Sequence, residues 1–470
     1  MSSAKNKNLC HALAVAYLLA IAAGLITSSA YHPLHIWPAM PIGLLLLINL
    51  NKSQNFKKRI LTNLLFGISF QIITLYWVGT YVGSFAWIAL VLMQSTFLIL
   101  LSFTNGAISF AASWVVYEFV LRSFPFGGFG WSRIGYALTE SPLNYLYPRI
   151  SIVGVAFLVV FSLALLLEKR RKAVVILMPI YIAIGLIPVS VANTGSLKVG
   201  LVQGGQNLKL DNTFENSEGA IGKHFLATKK IKAGTVDLVV WPENAVMHDP
   251  LVRKPTNKNF IAEVNRIKAP ILVNANLSDG TNGSVIIGDG LNQSYSKRYL
   301  TPFGEFIPLR TIVEKISDKT DLVSGYKPGE KPYLFTISSK RFRTLICYEL
   351  LSDKQARKEM ADADFIVVQT NNATYYQTWQ LDQELAIAQA RSAETSRQSA
   401  YASTTGGTSL IDEKGRIISS IPKYSNQVLV GEIQTRKGFA PATKYGSTLE
   451  VVLVILWLLF LYKSRRTFRR

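Results

Sequence analysis

The chain has 470 residues, of which 49% are hydrophobic and only 17% charged. A soluble globular protein carries about 25% charged residues, so a disordered chain, a collagen-like chain and an ordinary cytosolic enzyme are excluded, and clustered apolar residues would mean a membrane protein. The formal net charge of +21 does not point to nucleic acid, because most of the basic excess lies outside the 195–446 stretch, at the edges of apolar segments.

In chain order, eight apolar segments stand out, at about 10–30, 34–50, 60–80, 86–104, 105–122, 151–167, 173–191 and 447–463. A helix needs about 20 residues to cross a hydrocarbon core, and each segment is near that length. The first is too long for a cleavable leader and is followed at once by another span. The expected organisation is a seven-helix transmembrane bundle over 1–194, a polar domain over 195–446, and a final transmembrane helix with a basic tail over 447–470.

Orientation follows from the basic flanks. Lys5 and Lys7 precede the first span. Lys52, Lys57, Lys58 and Arg59 lie between the second and third, and Lys169, Arg170, Arg171 and Lys172 between the sixth and seventh. Lys463, Arg465, Arg466, Arg469 and Arg470 follow the eighth. With eight spans all four groups fall on the cytoplasmic side, so both termini are expected inside and the 195–446 domain outside. Glu118, in SWVVYEFVLR, is expected to pair with Arg122 one helical turn on.

The 195–446 region alternates short β-branched runs with helical stretches. LKVGLVQ, DLVVWP, APILVNA, SVIIGD, RTLICYE, DFIVVQT and SLIDEKG are of strand length, and 216–233, 256–268 and 378–398 read as helices. This alternation predicts a layered α/β domain. Three residues stand where chemistry sits at strand ends. Glu243 follows a buried run in DLVVWPEN, Lys297 lies in YSKRYLTPFGEFIP, and Cys347 ends RTLICYEL. Taken singly, each has an ordinary explanation: a helix cap, a solvated cation, a small buried thiol. Together they supply a base, a cation and a nucleophile. A nearby ammonium lowers a thiol's pKa, a carboxylate moves its proton, and the ammonium faces an oxyanion. Strand alternation puts Cys347 and Glu349 on one face, Ile346 and Tyr348 on the other. With two cysteines, Cys10 and Cys347, there is no disulfide framework. No CxxC, HExxH or GxxxxGK motif occurs and the five histidines do not form a metal-ligand pattern, so no cofactor and no metal are expected.

WPEN, KRYLTPFGEFIP and ICYE, in this order and spacing, resemble the nitrilase superfamily. The long PFGEFIPL motif and the eight flanking spans are similar to its membrane-embedded branch, the apolipoprotein N-acyltransferases, as are WVVYEFVLR, GFGWSRIGYAL and SPLNYLYPRISIVGVAFLVVF. The resemblance implies an αββα sandwich beside the helical membrane bundle. It implies Glu243 as general base, Lys297 as oxyanion stabiliser and Cys347 as nucleophile. Glu305 matches the family's second glutamate, Tyr348 and Glu349 the residues after its cysteine, and Asn282 a pocket asparagine. The implied activity is transfer of an acyl chain from a phospholipid acyl donor to the α-amine of a diacylglyceryl-lipoprotein acceptor, through a Cys347 thioester. The expected setting is the bilayer of a bacterial inner membrane, with the catalytic domain on the periplasmic side, no nucleic acid partner and a monomeric enzyme. A membrane-tethered amidase or hydrolase, and a non-catalytic membrane scaffold, are the competing readings. Two departures bear on the lipid pocket: Leu210 stands where the family has Trp, and Thr374 replaces the Trp of NDAWFG in NNATYY. The apolar FIPLRTIV segment after Glu305 is expected either to face the membrane or to pack on the domain.

Overall fold

The computed structural model describes residues 2–104, 106–205, 217–314, 323 and 325–468. Leu210 lies outside them. The chain forms two compact units, Met1–Pro188 with Tyr445–Arg470, and Val189–Lys444.

The first unit is helical. Among the described residues, four helices are long and apolar enough to cross a membrane: His11–Ser28, Ser84–Phe103, Pro142–Glu168 and Pro441–Lys463. Ala39–Ser53, Ala107–Leu121 and Lys172–Leu186 are apolar but shorter, and Phe56–Thr74 opens on Lys57, Lys58 and Arg59. Small residues let the helices approach closely. A Cβ on Gly24 would meet the Phe66 carbonyl oxygen at 2.5 Å, and one on Gly43 the Ala23 carbonyl oxygen at 2.6 Å. The expected Glu118–Arg122 turn is replaced by longer-range pairing. Glu118 accepts from Arg133 Nε at 3.2 Å, from the Ile134 amide at 2.9 Å and from Trp114 Nε1 at 3.2 Å, while Arg122 pairs with Glu450 of the last helix. Tertiary contacts decide these partners, so helical spacing did not reveal them.

The second unit is a two-sheet sandwich. Its strands are β1 (Ser190–Gln203), β2 (Leu238–Val240), β3 (Ile271–Asn276), β4 (Asn282–Ile287), β5 (Ser294–Ser296), β6 (Phe335–Ile337), β7 (Lys340–Ile346), β8 (Phe365–Thr370), β9 (Ser399–Ser403), β10 (Ser409–Ile411), β11 (Ile417–Ser420) and β12 (Gln427–Phe439). One sheet has the order β12-β1-β2-β3-β4-β5 and the other β11-β10-β9-β8-β7-β6. β1, β2 and β3 run parallel, as do β7, β8 and β9.

Period-two alternation builds the core. Val199, Leu201, Leu238, Val240 and Leu272 of the first sheet meet Phe342, Ile346, Phe365, Val367 and Ala400 of the second. The intervening Val202, Val239, Ile271 and Val273 point the other way, onto Ile221, Ala227, Phe260 and Ile267 of helices Ser217–Thr228 and Lys254–Ile267. Helix Gln380–Thr395 packs on β9 and on the turn that follows β7. The strand runs legible in the sequence are thus the interior ones. β12, antiparallel to β1 along nearly its whole length, escaped notice because it is an edge strand with mixed exposure, and such a strand shows no clean apolar alternation.

Candidate active site

Glu243 and Cys347 leave the sheets where the parallel strands β2 and β7 end, as in open α/β sheets generally, whereas Lys297 follows β5, which runs antiparallel to β4. β2 stops at Val240, and the chain turns through Trp241 and Pro242 to Glu243. The turn is held from both sides. Gln369 Nε2 of β8 donates to the Trp241 carbonyl at 2.7 Å, and the amide of Asn244 donates to Asn274 Oδ1 of β3 at 2.8 Å. Lys297 follows β5, its amide bonded to the Asn282 carbonyl at 2.7 Å and its carbonyl accepting from the Gly329 amide at 2.8 Å. Only glycine fits at 329, because a Cβ there would lie 2.2 Å from the Ser296 carbonyl oxygen.

Lys297 is the hub, with 1% of its surface exposed. Its Nζ lies 2.9 Å from Glu243 Oε1, 2.9 Å from Glu305 Oε1 and 2.8 Å from Glu305 Oε2. Asn282 donates from Nδ2 to both carboxylates, at 3.1 Å to Glu243 and 3.0 Å to Glu305, and is itself held by Asn274 Nδ2 at 2.9 Å. The second oxygen of Glu243 accepts from the Asn371 amide at 3.1 Å, and that of Glu305 from the Thr301 amide at 2.8 Å. A buried ion cluster of this kind persists only when its lone pairs and protons are satisfied. Burial alone would lower the lysine's pKa, but the carboxylates of Glu243 and Glu305 outweigh it and hold the ammonium charged well above its usual range. Burial works on Glu305 in the opposite sense, and the charge and hydrogen bonds of Lys297 overcome it, leaving the carboxyl below its ordinary value.

Cys347 corrects the strand-face expectation. β7 ends at Ile346, and Cys347–Leu351 form a 3₁₀ turn, so strand alternation no longer decides which way Cys347 and Glu349 point. Cys347 has φ 49°, a left-handed conformation that is uncommon for a residue with a Cβ. The residue as a whole is partly buried. Its proton affinity also differs from expectation. Burial, then Glu243 and Glu384, push the thiol well above its ordinary pKa, and the lowering by Lys297 does not compensate. The resting sulfur is thereby held as a thiol.

Glu349 is fully buried and serves as a clamp. Its Oε1 accepts from the Tyr295 hydroxyl at 2.6 Å and from the amides of Arg298 at 2.9 Å and Tyr299 at 3.3 Å, and its Oε2 from the Ile346 amide at 3.0 Å. One side chain therefore ties the lysine segment to the cysteine turn. Tyr348 stacks on Tyr299 with ring centroids 5.3 Å apart, reinforcing the same junction. Thr374 lies in the short 3₁₀ turn Ala373–Tyr375, next to Asn371, whose amide reaches Glu243. Leu309, in the FIPLRTIV segment, is 60% exposed.

The sequence reading missed Asn274, Asn371 and Glu384. Asn274 had a signal: a fully buried polar side chain inside the apolar run ILVNAN requires a partner. Asn371 had none, since it acts through its backbone.

Two family models match the chain: the apolipoprotein N-acyltransferase N-terminal domain over residues 23–165, and carbon–nitrogen hydrolase over residues 198–438. A protein from Haemophilus influenzae named apolipoprotein N-acyltransferase is 26% identical, covering 94% of each chain. A protein of the same name from Azotobacter vinelandii is 30% identical over 77% of this chain and 74% of its own. Among solved structures, a CN-hydrolase superfamily protein from Xanthomonas campestris matches at 18% identity with a TM-score of 0.40, covering 55% of this chain and 97% of that one. By the matches in both units and the relatives that span them, the chain belongs to the apolipoprotein N-acyltransferase family of the carbon–nitrogen hydrolase superfamily.

Proposed function

We propose that this enzyme moves a fatty acyl chain from a membrane phospholipid to the α-amino group of the N-terminal diacylglyceryl-cysteine of apolipoproteins. The observation that carries this reading is the buried Lys297, held between Glu243 and Glu305 beside a cysteine on a strained turn, in a chain that also matches the family's N-terminal domain.

In the first half-reaction the Cys347 sulfur attacks the ester carbonyl carbon while Glu243 takes the thiol proton. Lys297 faces the developing oxyanion. The carbon–oxygen bond then breaks, Glu243 returns the proton to the departing glycerol oxygen, and a lysophospholipid leaves a thioester on Cys347. In the second, the lipoprotein's α-amine attacks the thioester and Glu243 takes the amine proton. The carbon–sulfur bond breaks, and the sulfur regains its proton from Glu243. Because the resting thiol is protonated, the base and the nucleophile act together. Glu305 and Asn282 hold Lys297 and Glu243 in register, and Glu349 and Tyr348 hold the two loops together.

Both substrates carry acyl chains and reach the site by diffusing in the bilayer. The exposed Leu309 and Phe303 near Glu305 suit a loop that meets lipid. Eight spans, with residues 1–194 and 447–470 in the membrane and both termini cytoplasmic, put the 195–446 domain on the outer side of a bacterial inner membrane. A cytoplasm-specific reporter fused after Arg470 is expected to be active and one inserted near Asn257 silent; the reverse pattern would overturn this topology.

The decisive experiment is the intact mass of purified protein after exposure to phospholipid. A hydroxylamine-sensitive acyl adduct on Cys347 that passes to a diacylglyceryl peptide amine supports the transferase. Release of the acyl group to water in preference to the amine would make the enzyme a hydrolase, and no adduct on a folded protein would leave it a scaffold.

A further inference from the structure

The inward-facing residues of the sandwich turn polar as the sheets near the site. In β8 the series Phe365, Val367 continues to Gln369; in β7, Thr344 stands between Phe342 and Ile346; in β4, Ser284 precedes Ile286 by two. All three polar residues are buried, Gln369 and Ser284 completely. Such groups cost free energy in an apolar interior unless they are hydrogen-bonded, and here they satisfy one another. Gln369 Oε1 accepts from Ser284 Oγ at 2.6 Å and from Thr344 Oγ1 at 2.9 Å, and its Nε2 donates to the Trp241 carbonyl at 2.7 Å.

Two of these bonds cross between the sheets. Gln369 and Thr344 belong to the second sheet, and Ser284 and the turn after β2 to the first. Each partner also lies two or three residues from a site residue. Glu243 follows Trp241 by two, Asn282 precedes Ser284 by two, and Cys347 follows Thr344 by three. Asn371, whose amide donates to Glu243 Oε2 at 3.1 Å, follows Gln369 by two. Apolar packing is non-directional, so it holds two sheets together without fixing how one sits along the other. A hydrogen bond fixes direction as well as distance, and a fully satisfied buried network is rigid.

We propose that Gln369 is a positioning residue: it is a clasp across the sandwich that sets the Glu243 turn of the first sheet against the Cys347 turn of the second. Stability is not what the glutamine supplies, since apolar groups of the same shape at all the partner positions would be nearly neutral or stabilising. What it supplies is alignment of base and nucleophile, which a step that moves the proton during attack requires. The inference rests on Glu243 and Cys347 acting as proposed above, but one arm of its test needs no substrate, so the two fail separately.

The test uses two variants of the full chain in detergent. Gln369→Met keeps the side-chain length and removes all three bonds, stranding the Ser284 and Thr344 hydroxyls. Gln369→Met combined with Ser284→Ala and Thr344→Val removes those hydroxyls as well. The triple variant is expected to melt near wild type and the single variant lower. Hydrogen exchange, read by mass spectrometry on peptides covering 241–247 and 371–376, is expected to quicken in both variants. The increase is roughly two- to tenfold, the change that one lost hydrogen bond makes to a local opening, while β12 peptides of the triple variant keep the wild-type rate. Single-turnover acylation of Cys347 from phospholipid is expected to slow by about tenfold or more in the triple variant, since a misplacement of about 1 Å costs about 10²-fold. A role in packing alone predicts that exchange and rate both return to wild type in the triple variant, and that result overturns the proposal. If wild type forms no acyl adduct, the catalytic reading fails, and the exchange arm still decides the clasp. Should neither variant fold, Ser284→Ala cuts one cross-sheet bond at almost constant size: faster exchange at 241–247 supports the proposal, and unchanged exchange overturns it.

Discussion

Glu305 grips Lys297 with both carboxylate oxygens, at 2.9 and 2.8 Å, whereas Glu243 meets the same ammonium through one oxygen at 2.9 Å. The asymmetry separates their work. A carboxylate engaged on both oxygens orients the lysine, and one engaged on a single oxygen retains a second that, among the described residues, accepts from the Asn371 amide at 3.1 Å.

Glu243→Gln should therefore slow single-turnover acylation by about 10²–10⁴-fold, the usual contribution of a general base. Glu305→Gln should leave a measurable first step, because a neutral amide keeps some of the hydrogen bonds to Lys297, Asn282 and Thr301. Labelled phospholipid and rapid quench would rank the two; a dead Glu305→Gln beside a normal Glu243→Gln would mean the base has been misassigned.

Cys347→Ala should abolish adduct formation, and Cys347→Ser should be nearly as poor, since an alkoxide is harder to generate than a thiolate. Lys297→Met removes one oxyanion partner, worth roughly 10²–10³-fold. Acylation at wild-type rate in the alanine variant ends the thioester mechanism.

The acid limb of stability should report Glu305. Its pKa is depressed in the folded protein, so the unfolded chain takes up a proton first as pH falls. The stability it contributes is fully present above the unfolded value of about 4.3 and is lost as pH falls through the folded value. Melting temperature measured against pH should fall less steeply through that window in Glu305→Gln than in wild type; superimposable acid limbs would contradict the assignment.

Glu349→Ala leaves the Tyr295 hydroxyl and the amides of Arg298, Tyr299 and Ile346 without their acceptor. Each buried polar group so orphaned costs about 1–3 kcal/mol. The variant should melt well below wild type and slow both half-reactions together. A variant that kept the wild-type melt but lost only the second half-reaction would instead place Glu349 against the lipoprotein.

In the helical unit, Glu118→Ala should destabilise by about 3–5 kcal/mol, because it removes the carboxylate that is paired with the buried Arg133. The double change Glu118→Ala with Arg133→Met should recover part of that loss. Additive losses in thermal melts would show that the two residues do not act as a pair.

The apolar helices, the two-sheet α/β domain and most of its interior strands were legible because each is written locally. Apolar length marks a spanning helix, period-two runs mark buried strands, and Pro or Gly punctuation sets the turns that carry Glu243 and Lys297. Edge strand β12 was not legible, since its mixed exposure carries no period. The partner of Glu118 was not legible either: Arg122 sits at ideal helical spacing, yet Arg133 satisfies the acid.

By itself, then, the sequence determined which residues could react and on which elements they stand. Only the tertiary structure decided how they are tuned. Proton affinity and hydrogen-bond partnership depend on distance and burial, which chain spacing does not encode. Lys297 next to a cysteine suggests a lowered thiol pKa, but burial and two carboxyl groups, one of them Glu384 from a distant helix, reverse the sign.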